Sequence, residues 1–412
     1  MSEKKHIVID LQSYEGESGY RGIGRVSWEI TKRLIEKMDE KWKITILLND
    51  LRPERGLKIR NELLERSQKV NVEVIELTGF TTYFDIYESE GNLKKAIAYE
   101  VVLEYFISQL YPDIYFNPSH FEWDHPTSLK KIGGYWVDAV ILYDLIPYIF
   151  REKYLKWTAY RAWYEHKIEE IKKYDVYFGI SNSTKKDFEK YLGIDSQKIK
   201  VIPLAADEKF KELDKKEKED GKIILKEKYH INLDYIFYVP GGFEERKNFE
   251  NLFKAYSSLP EELKKSYLLV IGSKMDENTR RHLESLSKKL GIEDRVIFTG
   301  YVSDEELVIL YNNCSLFVFP SLYEGFGLPI VEAMRCGAPV ISSDRAGMKE
   351  IVVSKDAMFN PEKPDEISEK MRLALTNENY KQFLIENSIK QREKYSWEKA
   401  VEIIAETFEG AI

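Results

Sequence analysis

The 412-residue chain is poor in cysteine: it has only Cys314 and Cys336, and neither belongs to a pair with metal-ligand spacing. That excludes a disulfide framework and a cysteine-based zinc site, and leaves both thiols to core packing. An excess of positive charge is also missing. Lys and Arg total 62 against 70 Asp and Glu, for a formal net charge of −8, which argues against general nucleic-acid binding. No uninterrupted apolar stretch is long enough to span a bilayer. The opening MSEKKHIVID enters a strand-like run with no signal-peptide hydrophobic region before it. A cytoplasmic protein is expected. There is no short-period repeat and no low-complexity tail. An Asp-x-Asp pair is also absent, which agrees with the expectation that neither metal nor cofactor is needed.

What is present is an alternation of short apolar runs with helical patterns, which indicates an α/β fold. A chain this long exceeds the size at which single cores usually divide, so two domains are expected. His6–Asp10, Ile44–Leu48, Val70–Leu77, Ile114–Phe116 and Trp136–Leu142 read as strands of a first domain over residues 1–210. Residues 211–222 are nearly all Lys, Glu and Asp and read as a solvated linker. Tyr235–Val239, Leu268–Gly272, Val296–Gly300 and Leu316–Phe319 give strands of a second domain over 223–390. Tyr395-Ser396-Trp397 introduces a final helix within 391–412.

The most informative stretch is Ser315–Ile351, SLFVFPSLYEGFGLPIVEAMRCGAPVISSDRAGMKEI, which reads as strand, loop, helix, strand. Pro329 suits the first helical turn, and Gly337 followed by Pro339 ends the helix. The loop amides of Gly325, Phe326, Gly327 and Leu328 then lie at the positive end of a helix dipole, where an anion is stabilised. Glu324 and Glu332 frame that position and, when ionised, suit hydroxyl groups such as those of a sugar or ribose. The plainer readings are a solvated loop carboxylate for Glu324 and a surface ion pair with Arg335 for Glu332. A second Gly-rich turn, Pro240–Asn248, ends in Arg246-Lys247. It could clamp a phosphate, with Arg forking onto two oxygens and Lys acting as a point charge, or be two solvated cations beside Glu244 and Glu245.

SLYEGFGLPIVEAMRCGAPVISSD resembles the signature of the retaining glycosyltransferases of family 4, with Glu324 and Glu332 matching its E-x7-E motif. The resemblance implies a GT-B-like architecture, two doubly wound α/β domains facing across a cleft. It also implies that the first glutamate lies against a donor sugar, that the second binds ribose, and that the amides between them grip sugar and diphosphate. Residues near Tyr301 and Val302 would meet the base, and the last helix would cross back onto the first domain. Arg246-Lys247-Asn248 is similar to one subgroup's version of the Gly-rich turn. Many members carry Arg directly after the first glycine, where this chain has Gly242, and Arg246 is the candidate replacement. GYRGIGR, with Gly22 and Gly24, fails the dinucleotide fingerprint because a long gap follows the strand and Ser27 stands at the third glycine. By resemblance it would approach the diphosphate; by composition alone it is a loop needing glycine for positive φ.

Family members often read His-Asp-Leu where this chain has Tyr143-Asp144-Leu145. A Tyr there can hydrogen-bond a sugar or acceptor hydroxyl but cannot carry a proton at neutral pH. Asp144 suits substrate contact or a turn cap. Phe150–Tyr174 interleaves Tyr154, Trp157, Tyr160, Trp163 and Tyr164 with basic residues, which suits either peripheral contact with an anionic membrane or a domain core. The basic run Arg52–Lys69 reads as a solvated helix face. The resemblance as a whole implies a metal-independent, retaining transferase, closest to the mannosyltransferase-type branch of bacterial polysaccharide synthesis. It would move a sugar, foremost mannose from GDP-mannose, to a glycan or lipid-linked acceptor. A sugar-nucleotide epimerase of the same architecture and a non-catalytic sugar-binding module are the alternatives.

Overall fold

The computed structural model describes residues 4–20, 22–50, 52–67, 69–78, 93–122, 125–127 and 135–412. Arg21 of GYRGIGR, residue 68 of the basic run and residues 1–3 of the opening segment lie outside the described residues. Two compact units are formed, Met1–Leu204 with Trp397–Ile412, and Ala205–Ser396.

Unit 1 is built on a seven-stranded sheet. Its strands are β1 Lys5–Asp10, β2 Trp42–Asn49, β3 Asn71–Leu77, β4 Ile114–Asn117, β5 Val137–Leu142, β6 Val176–Gly179 and β7 Ile199–Val201. They run in the order β3-β2-β1-β4-β5-β6-β7, every neighbour parallel. Near-continuous Val, Ile and Leu runs are what a sheet covered on both faces requires, and Ile7, Val8, Ile9, Ile44, Ile46 and Leu47 are fully buried. The order reverses between β1 and β4, and in open α/β sheets ligands bind at that crevice, beyond the strands' C-terminal ends. Helix Trp397–Ala411 belongs to this unit: the Phe408 ring meets Phe116 and Phe178 edge-on at 5.4 and 5.8 Å.

Unit 2 has six parallel strands, β8 Asp234–Tyr238, β9 Tyr267–Ile271, β10 Val296–Phe298, β11 Leu316–Phe319, β12 Val340–Ser343 and β13 Met358–Phe359. Their order is β10-β9-β8-β11-β12-β13. Here the reversal falls between β8 and β11, which pair directly at Leu316 with Ile236 and Phe317 with Phe237. The loops following these two strands carry Arg246-Lys247 and Glu324, so topology alone brings the two motifs together. The expected α/β class, with two doubly wound parallel sheets, is what the chain forms.

The charged stretch 211–222 is not a linker throughout. From Lys215 it forms the first half of a helix to Tyr229, opened by a reciprocal capping box between Asp214 and Glu217. Its charges form the solvated face, while Leu225 and Tyr229 are buried. The contact-defined boundary falls at Leu204/Ala205, and the final helix begins at Trp397.

Glu15 carries a pH dependence into unit 1. It ends the short helical turn Gln12–Glu15 after β1, is fully buried and accepts the Asn49 N–H. Burial pushes its carboxyl up most, the Asn49 bond opposes this, Glu76 adds to it, and the result is about 7. A carboxyl whose folded pKa is raised favours the folded state only while protonated. Stability is therefore complete below the unfolded pKa and is lost as pH rises through about 7. Glu15→Gln should then be more stable than wild type by about 2–3 kcal/mol at pH 8 and by under about 1 kcal/mol at pH 5, read from urea midpoints at both pH values.

Candidate functional site

The site in unit 2 begins with a pinned backbone. Tyr238, the last residue of β8, donates its hydroxyl to the Lys247 carbonyl at 2.8 Å. Asn248, at φ 62°, donates its side-chain amide to the carbonyls of Pro320 at 2.9 Å and Pro361 at 2.7 Å. The Leu322 N–H closes the seam by donating to the Arg246 carbonyl at 2.7 Å. The turn after β8 is thereby fastened to the loop after β11.

On this frame both cations converge on one carboxylate. Lys247 Nζ lies 2.8 Å from Glu324 Oε1, and Arg246 Nη1 lies 2.5 Å from Glu324 Oε2. Arg246 also reaches the Tyr323 carbonyl at 3.2 Å. The side chains of Lys247, Glu324 and Arg246 are 6, 12 and 17% exposed, so these are not solvated surface charges. Burial alone would push the Glu324 carboxyl up. The charges of Lys247 and then Arg246, together with the hydrogen bond from Lys247, outweigh it and hold the carboxyl below its usual range. Glu324 is thus a fixed anion that aligns two cations, a poor starting point for proton transfer at neutral pH.

Beyond Glu324 the chain turns through Gly327, at φ 131°, into the helix Leu328–Arg335, with Pro329 in its first turn. The N–H groups of Phe326, Gly327 and Leu328 take no hydrogen-bond partner among the described residues. This is the anion-binding arrangement of a helix start. Glu332 points into the protein: it is 5% exposed and accepts the Tyr311 hydroxyl at 3.0 Å, while Arg335 donates to the Phe210 carbonyl at 3.3 Å. The surface ion pair is therefore not how Glu332 is held. Tyr301, 71% exposed, and half-buried Val302 follow β10, on the C-terminal side of the same sheet.

Unit 1 arranges its candidates differently from the sequence reading. Gly22 and Gly24 do not lie in an open loop but open the helix Gly22–Lys37, and Gly24 does not have positive φ. A Cβ on Gly24 would sit 2.3 Å from the Ser18 carbonyl oxygen and 2.4 Å from the Gly19 Cα. Close packing against the turn Glu17–Tyr20 is thus what requires glycine there. Tyr143 turns its hydroxyl inward, donating to the Ile23 carbonyl at 3.3 Å, with Ser27 Oγ at 3.5 Å. Burial pushes this phenol's pKa up, so it stays neutral. Asp144 accepts the Ile146 N–H at 3.0 Å and caps the next turn. Of the aromatics in Phe150–Tyr174, Trp163 and Tyr164 are in the core and Tyr160 packs against it, while Trp157 is 49% exposed. These rings do not form one exposed face.

The sequence reading missed a buried polar cluster in which Glu100, His166 and Glu170 gather within 4.8 Å. Lys167 Nζ lies 3.7 Å from Glu100 and 3.3 Å from Glu170, so a protein cation already faces both carboxylates. The cluster ties helix Leu93–Gln109 to helix Thr158–Ile171, and the i, i+4 spacing of His166 and Glu170 was its only signal. Among the described residues no helix is long and apolar enough to cross a membrane.

Comparison with known proteins follows the same division. Residues 222–391 match the family model described as glycosyl transferases group 1. The Escherichia coli serotype-specific mannosyltransferase WbdA is 33% identical over 98% of this chain, and the alignment takes in 48% of WbdA. The chain thus spans about half the length of this curated relative. Among solved structures, Anabaena HepE in complex with UDP and glucose aligns with a TM-score of 0.69 at 17% identity, over 98% of this chain and 100% of that one. WaaG, a glycosyltransferase involved in lipopolysaccharide biosynthesis, gives 0.67 at 16% identity, over 98% and 100%. At such identities these two establish the fold. The family match over residues 222–391 and the alignment to WbdA over 98% of this chain place it in the group 1 glycosyl transferases.

Proposed function

We propose that the chain transfers a sugar from a nucleoside diphosphate to an acceptor hydroxyl with retention of anomeric configuration. The observation that carries this reading is the meeting of Lys247, Arg246 and Glu324 with the unpartnered amides of Phe326–Leu328. A departing diphosphate gains negative charge in the transition state. Donors already fixed in place stabilise that charge without reorganising, each worth about 3 kcal/mol. Lys247 has three N–H donors, of which Glu324 takes one, leaving two for phosphate oxygens. The anomeric carbon would lie near Glu324, whose depressed pKa suits accepting hydrogen bonds from sugar hydroxyls. The departing phosphate is the group placed to take the acceptor proton, so no protein nucleophile is assigned.

The donor we propose is GDP-mannose, and the acceptor a glycan or lipid-linked chain of a surface polysaccharide. Support comes from RGIGR, YDLIP and ERKN, and from the mannosyltransferase named as a relative over nearly the whole chain. Glu332 would hold the ribose, its carboxylate kept in place by Tyr311, and Tyr301 and Val302 would face the base. Within unit 1, Tyr143 braces the start of the helix that Gly22 and Gly24 open. Glu332→Gln should weaken donor binding about tenfold while changing turnover at saturating donor less than about twofold. Donor titrations of both proteins check this, and unchanged donor affinity would remove the ribose role.

A thermal-shift panel of GDP, UDP, ADP and their sugar nucleotides tests the reading as a whole. A ligand that binds the folded state raises apparent stability by about 2.7 kcal/mol at one hundred times its dissociation constant. GDP and GDP-mannose should shift the transition most. No shift with any nucleotide would overturn the function, and a larger shift with UDP would overturn the donor.

A further inference from the structure

The loop that presents Phe326, Gly327 and Leu328 is braced from a place that the transfer chemistry does not use. Tyr395 meets the Phe326 ring edge-on, with centroids 5.6 Å apart at 74°, and donates its hydroxyl to the Glu350 carbonyl at 3.0 Å. Glu350 lies in the short helix Met348–Val352, whose approach is pressed against the same loop. The Gly347 N–H donates to the Glu324 carbonyl at 3.2 Å, and a Cβ on Gly347 would stand 2.4 Å from the Gly325 carbonyl oxygen. No side chain fits between these segments. Tyr395 therefore touches both sides of one sandwich, the anion loop and the backbone packed upon it.

Its place in the chain adds the second half of the argument. Unit 2 ends at Ser396, and Trp397 begins the last helix of unit 1. The residue that grips the loop is thus next to the last in unit 2, where the chain passes back into unit 1. An aromatic edge-to-face contact and a hydrogen bond to a fixed carbonyl are both directional. Ordering Phe326 around a ligand favours one position of the Tyr395 ring, and that ring is one residue from the crossover. By the reciprocity of linked equilibria, anything that orders the crossover then favours the ligand.

We propose that Tyr395 is a positioning residue that couples occupancy of the Phe326–Leu328 amides by a nucleoside diphosphate to the order of the chain crossover at 393–398. The proposal rests on the donor-site reading above. It goes beyond that reading by giving the site a mechanical link to the segment that joins the two units.

Hydrogen–deuterium exchange on the full chain, with and without millimolar GDP, UDP or ADP, tests it. In wild type the nucleotide that binds should slow exchange at 324–328, and at 393–398 by about tenfold. Tyr395→Phe keeps the ring and removes the bond to Glu350, so the slowing at 393–398 should shrink while that at 324–328 persists. Tyr395→Ala should bind the nucleotide about tenfold more weakly and show no ligand-dependent change at 393–398 even when saturated. A residue needed only for folding would raise exchange with and without nucleotide alike, leaving the ligand-dependent difference intact. Protection at 324–328 with none at 393–398 in wild type overturns the coupling and leaves the donor site standing. An equal ligand response in wild type and Tyr395→Phe overturns the part assigned to the hydroxyl. Absence of protection at 324–328 with every nucleotide overturns the donor site and the coupling together.

Discussion

Lys247→Ala should lower sugar transfer at saturating donor by about 10²–10³-fold, the loss found when one preorganised donor to a developing oxyanion is removed, about 3–4 kcal/mol. The geometry gives reasons for an effect of that size. Lys247 is 5% exposed, its carbonyl is fixed by Tyr238, and its ammonium lies 2.8 Å from Glu324. A charge so enclosed meets little competition from water, so its interaction with a departing diphosphate is only weakly screened. The fold should survive, because Arg246 remains 2.5 Å from the other oxygen of Glu324 and the buried carboxylate keeps a cation. Steady-state transfer rates and circular dichroism of the two proteins check both halves. Equal turnover would remove Lys247 from the chemistry, and a lost fold would show that its role is structural.

Glu324→Gln should separate two properties that most substitutions at a binding site change together. The amide keeps the shape of the side chain but leaves Arg246 and Lys247 without their shared anion. A free nucleoside diphosphate then enters a more positive site, and should bind as tightly as in wild type or more tightly. Sugar transfer should fall by about 10²-fold, because the carboxylate no longer aligns Lys247 or accepts bonds from the sugar hydroxyls. Calorimetric titration with GDP and transfer assays on the same preparation measure the split. A parallel fall in both would mean that Glu324 serves mainly to hold the loop together.

Much of this organisation was legible in the sequence, for identifiable reasons. Strands buried on both faces must be apolar throughout, so runs such as LFVF at β11 declare themselves. The helix after Gly327 carries its start signal in Pro329 and its stop signal in Gly337. β13, two residues long, has too few side chains to show any pattern. The helix Lys215–Tyr229 was hidden by composition: so few of its residues are buried that its charged face dominates, although the Asp214 to Glu217 spacing of a capping box was present.

Within the site, identity was easier to read than direction. Glu324, Glu332, Arg246 and Lys247 stood out by motif, but no local pattern could show that both cations fork onto Glu324. That follows from the pairing of β8 with β11, across 77 residues of chain. The partner of Glu332, Tyr311, is likewise 21 residues away on another helix. Gly24 was legible as a glycine that matters, yet the reason is the Ser18 carbonyl, six residues earlier in the preceding turn. Tyr143 departed from the family pattern, and the structure gives the departure a use, since the phenol reaches the backbone of Ile23.

The central claim is that this cluster and the helix start behind it recognise a diphosphate. Calorimetric titration of wild type and Lys247→Ala with GDP and GMP tests it most directly. The account predicts that wild type binds GDP at least about tenfold more tightly than GMP, a difference of about 1.4 kcal/mol, and that Lys247→Ala abolishes most of this preference. Equal affinity of wild type for the two nucleotides, or a preference unchanged in Lys247→Ala, would contradict it.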